Sequence, residues 1–120
     1  MSAVDEQGLR LERTLRIAEQ TRPLRAALNQ SERYTDLRGQ HHSLAAMSAA
    51  EALLVLALLE RHAQTLHRGE LGEQLLHATR ASGRERQRAL EAGRSLASPS
   101  AAEWLRGTPL HRALVERAHQ

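Results

Sequence analysis

At 120 residues the chain is a single domain by length, 1–120, with room for a modest core. Leucine and alanine dominate it, while tryptophan and tyrosine occur once each and phenylalanine not at all, which excludes a strand-built fold and reads as all-α. The absence of cysteine excludes disulfides, thiolate chemistry and cysteine-ligated zinc, and 17 basic against 14 acidic residues leave a mild formal charge of +3.

Every basic side chain is arginine. Codon bias in a GC-rich genome produces such a composition, which points to a bacterial source. The start, MSAVDEQGLRLER, is acidic and then amphipathic, without the basic-then-apolar pattern of a secretory signal. The cytoplasm is the expected compartment.

The first helix is expected from about residue 5 to residue 30. Asp5 and Glu6 favour its positive end, and Leu11, Leu15 and Ala18 share one face. Pro23 is expected to kink or restart it, with Leu24, Ala27 and Leu28 giving a fresh apolar face. In SERYTDLRG, Ser31 reads as a cap and Gly39 as the close of a short segment. GQHHS reads as a turn, with Ser43 capping a long helix over about 43–68 that Gly69 ends. Another helix is expected over about 70–96, weakened near Ser82 and Gly83. Ser100 and Glu103 form a capping box for a short turn carrying Trp104 and Leu105. Gly107 stops that turn, and Thr108-Pro109 opens the last helix, from Leu110 to about His119.

The stretch LAAMSAAEALLVLALLERHAQTLH, Leu44 to His67, is the most apolar in the chain. From Leu44 to Leu59 a helix would span roughly 24 Å, short of the ~30 Å hydrocarbon core of a bilayer. Ser48 and Glu51 interrupt it as well. Between Leu53 and Leu59 it is apolar around its circumference, as in a helix sheathed by others. The expected architecture is therefore a compact bundle of about four to five helices around this central apolar helix. Glu51, Val55, Leu58 and His62 fall on one stripe. Glu51 thus either reaches the end of the core, satisfied by a neighbouring arginine or backbone amide, or points into a partner.

Several constellations bear on chemistry. Arg61 and His67, in RHAQTLH, are similar to the Arg-x4–6-His element of HEPN-type ribonucleases, with His62 at the polar position after the arginine. That resemblance implies an all-α, metal-independent ribonuclease in which the pair acts on the 2′-hydroxyl and the scissile phosphate. The same spacing recurs at Arg106/His111 and Arg112/His119, as chance predicts in a chain so rich in both residues. Glu70, Glu73 and His77 share a helical face near His67. They match no two-helix carboxylate–histidine metal pattern, so they read as a solvated polar face. No phosphate loop, nucleophile elbow or paired-carboxylate signature is present. A non-enzyme is expected, with no cofactor, no metal and no small-molecule substrate.

The densest charge is TRASGRERQRALEAGR, with Arg80, Arg84, Arg86, Arg88 and Arg94. Arg80, Arg84 and Arg88 are spaced i, i+4, i+8, about 6 Å apart along a helix, a spacing comparable to that of phosphates along one strand. The competing reading is a solvated face of Arg–Glu pairs with Glu85 and Glu91. Glu51, His62, Trp104 and Leu105 are the expected protein-facing residues. The function expected is a small non-enzymatic subunit of a larger, nucleoprotein assembly, gripping nucleic-acid backbone through the arginine face and a protein, or its own copy, through another. In size, helicity and basic character the chain resembles the small helical subunits of CRISPR effector complexes, a resemblance of class. The alternatives are an adaptor or secretion-chaperone-like module without nucleic acid, and the ribonuclease.

Overall fold

The computed structural model describes residues 3–36 and 38–120, with side chains from residue 9 onward. The side chains of Asp5 and Glu6, expected to favour the first helix's start, lie outside the described ones. The chain forms α1 (Ala3–Leu28), a small hairpin of β1 (Arg33–Thr35) and β2 (His41–Ser43), then α2 (Ala49–Arg61), α3 (Ala63–Arg80), α4 (Gly83–Ala97), α5 (Ala101–Arg106) and α6 (Pro109–Ala118). The fold is an all-α bundle, with more helices than the sequence suggested because the long apolar segment is divided.

The helix expected over 43–68 is two helices that change direction at His62. No glycine or proline sits there. The change of direction lets Ala52, Leu56 and Leu59 of α2 pack towards α6, while Leu66, Gly69 and Gly72 of α3 face α1. Gly69 does not end a helix. It lies inside α3, where an added Cβ would run into Thr21 Oγ1, and one on Gly72 would sit 2.8 Å from the Thr14 carbonyl oxygen. Gly72 lets the backbones of α1 and α3 approach closely, and Gly69 leaves room for the Thr21 and Arg25 side chains against α3.

The start of α2 also moves. Ser48, not Ser43, is the N-cap: its Oγ accepts from Glu51 N at 3.1 Å and donates to Glu51 Oε1 at 3.2 Å. Residues 44–47 turn instead, burying Leu44 and Met47. Arg117 Nε donates to the Met47 carbonyl at 2.6 Å and its Nη2 to Ala45 O at 3.1 Å, so carbonyls that a helix would satisfy internally are satisfied from α6.

α1 runs through Pro23 as one helix. Ser31 and Gly39 belong to the hairpin approach and turn rather than to helix ends. The strands pair antiparallel, Tyr34 opposite His42, with those rings stacked at 5.7 Å. Asp36 organises the turn: its Oδ1 accepts from Arg38 N at 2.9 Å and Gln40 N at 3.0 Å, and its Oδ2 meets His42 Nε2 at 3.0 Å. These bonds hold the Asp36 carboxyl below its ordinary range, with the His42 contact the largest cause. Gly39 takes φ +83°, open to glycine at little cost. Burial pushes the Tyr34 phenol up.

One core joins α1, β1, the 44–47 turn, α2, α3, α5 and α6, with Leu28, Leu59, Leu66, Leu105, Leu110 and Leu114 fully enclosed. α4 stands outside it, packed chiefly on α3 through Ala89. The central position belongs to α3, which lies between α1 and α4. Consequently α2 is not sheathed: Leu53 is 56 %, Leu54 72 % and Leu58 38 % exposed. The 13-residue α2 is too short for a bilayer, and no described helix is long and apolar enough to cross a membrane.

Candidate functional site

The arginines divide into two populations. Arg25 is buried, and four of the five N–H donors of its guanidinium are bonded. Its Nε donates to Thr21 Oγ1 at 2.8 Å, Nη1 to Glu70 Oε1 at 2.7 Å, and Nη2 to Glu73 Oε1 at 2.8 Å and to the Ala18 carbonyl. Arg22 donates to Glu73 at 2.5 Å from the exposed side. These contacts hold the Glu73 carboxyl below its ordinary range, the Arg22 hydrogen bond being the largest cause, and raise Arg22 in turn. Arg68 donates to Thr14 Oγ1 at 3.0 Å, and Arg112 to the Gly107 carbonyl at 2.7 Å. Arg117 holds the 44–47 turn as described. Glu70 and Glu73 are therefore structural anions between α1 and α3, and among the described residues no group of three metal-capable side chains forms.

The arginine cluster expected at Arg80, Arg84, Arg86, Arg88 and Arg94 is only partly one face. Arg80 ends α3, while the others lie on α4 beyond the break at Ala81 and Ser82. The i, i+4, i+8 ladder through Arg80 is thus not formed. Gly83, at φ +59°, turns the chain there. Arg86 is also withdrawn from the set, since its Nε donates to the carbonyls of Ala78 at 3.1 Å and Ala81 at 3.2 Å, closing the end of α3. Arg84 and Arg88 remain together, one turn apart on α4, away from the side that carries Leu90, Gly93 and Ala97 towards α3. Both are exposed, and among the described residues neither makes an ion pair or side-chain hydrogen bond. Glu91 follows on the same face but bonds neither. Arg94 borders a groove of about 400 Å³ between α3 and α4, whose walls include Leu71, Leu75, Leu90 and Ala97.

The protein-facing set is likewise divided. Glu51 and His62 are exposed at the two ends of α2. Leu105 is 1 % exposed and belongs to the core, so it is not a docking residue. The capping box of Ser100 forms as expected and aims Leu105 inwards from α5. Trp104 is half-buried against the same core and lies over the His67 ring, centroids 5.2 Å apart. What the sequence reading missed is the exposed apolar face of α2 itself, whose leucines were expected inside.

Arg61 and His67 are separated by the change of direction at His62. Arg61 is exposed on α2, whereas His67 is buried in α3, with Nε2 bonded to the Leu96 carbonyl and its ring against Trp104. The structure does not gather them into one accessible cleft. Comparison with protein-family models, with curated proteins and with solved structures gives no match.

Proposed function

We propose that the chain is a small non-enzymatic interaction subunit that holds nucleic-acid backbone on α4 and a protein on α2, in a cytoplasmic setting. The observation that carries the first half is the pair Arg84 and Arg88. They are exposed together without a carboxylate partner among the described residues, while Arg22 and Arg25 are paired with internal acids. Guanidinium groups about 6 Å apart along a helix suit successive phosphate oxygens and read no base sequence. No aromatic side chain accompanies them on α4, so base stacking is not part of the reading.

The test is a fluorescence-anisotropy titration of a short duplex and of a single strand across a salt series. Binding that weakens steeply with salt is expected, and Arg84→Ala with Arg88→Ala should reduce the log–log slope by about 1–2. Absence of binding at low salt, or a slope unmoved by the double variant, contradicts the reading. A protein-only adaptor is the second reading. It is favoured by the exposed Leu53, Leu54 and Leu58 and by Glu91 beside the arginine pair, and it predicts no nucleic-acid binding at any salt.

A further inference from the structure

We propose that α2 docks against α2 of a second copy of this chain, antiparallel about a twofold axis. The proposal rests on α2 as the docking side and not on the arginine face. Glu51, Leu54, Leu58 and Arg61 follow one another at spacings of three, four and three residues. At about 100° per residue they share one face of α2 within roughly 80°. All of them are exposed, Leu54 by 72 %.

The spacing reads the same in both directions, while the charges at its ends are opposite. An antiparallel pair therefore sets each Leu54 against Leu58 of the other copy and each Glu51 against its Arg61. An isologous interface requires this self-complementarity, whereas an unrelated partner has no need of it. The helix dipoles oppose favourably in the same arrangement. A notch of about 60 Å³ lies beside Leu58, between Thr21, Leu24, His62, Thr65 and Leu66, and offers a hole for Leu54 of the second copy. Leu53 and Ala57 flank the contact.

Sedimentation velocity of the full chain, at concentrations up to about 100 µM, tests this. The expected species has twice the 13.4 kDa chain mass. Leu54→Arg should give a monomer with unchanged helical circular dichroism. Glu51→Arg alone and Arg61→Glu alone should each weaken self-association by about tenfold or more, because like charges then face each other. An equimolar mixture of those two variants should associate again, since every facing pair becomes opposite in sign. A monomeric wild type, a dimer indifferent to Leu54→Arg, or a mixture no tighter than either variant overturns the proposal. A wild-type monomer that instead co-purifies with a different protein, lost in Leu54→Arg, overturns the self-pairing and leaves the docking reading standing.

Discussion

Glycines of the same type have opposite tasks in this chain. Gly72 faces the Thr14 carbonyl, a backbone atom that cannot swing aside, whereas a Cβ on Gly93 would meet nothing closer than Gln74 Cβ at 3.8 Å. Gly72→Ala should destabilise by about 1–3 kcal/mol through overpacking, despite the gain in helix propensity. Gly93→Ala should stabilise by about 0.5–1 kcal/mol. Chemical denaturation of the two variants checks both signs. The charges are as particular. Asp36 and Glu73 have carboxyls lowered from ordinary values of 3.8 and 4.5. In the folded chain they bind protons less readily than in the unfolded chain. Their contribution to stability is thus fully present above those ordinary values and is lost as the pH falls through the folded ones. Thermal melts should show the midpoint dropping in that acid window, and Glu73→Gln should flatten part of the drop.

At the scale of elements, local chemistry marked some boundaries and tertiary contacts decided others. Ser100 with Glu103, Thr108 with Pro109, and the weakness at Ser82 and Gly83 each act within a few residues, and each falls where expected. The start of α2 was legible too, in Ser48-x-x-Glu51, a capping box within the apolar run. Ser43 directly precedes the apolar run, but there Arg117, seventy residues from Met47, holds the backbone in a turn. Ser48→Ala should accordingly cost about 1 kcal/mol and Ser43→Ala close to nothing, by denaturation. The hairpin was hidden because RYT and HHS are too short to show alternation; burial of Tyr34 and the bonds to Asp36 make it. The turn at His62 carries no glycine or proline, so only the packing of α2 and α3 against different neighbours reveals it.

At the scale of the molecule, the radius of gyration is 16.0 Å, above the about 14 Å expected of a compact globule of this length. The 26-residue α1, the outlying α4 and the uncovered side of α2 give that extended shape. They leave two surfaces whose chemistry differs: guanidinium groups on α4 and leucines on α2. The sequence made the arginine density plain, but it could not say which guanidiniums were spent. Arg25 and Arg117 find their partners 45 and 70 residues away, and Arg86 closes a helix end that its own run does not reveal. Division of the arginines into internal and outward groups is the basis of the proposed function, and it is directly observable. In a nitrogen-15 spectrum of the arginine Nε–Hε groups, added duplex should shift Arg84 and Arg88 and leave Arg25, Arg86 and Arg117 in place. Shifts confined to the bonded arginines, or no shift at Arg84 and Arg88 at low salt, would contradict the account.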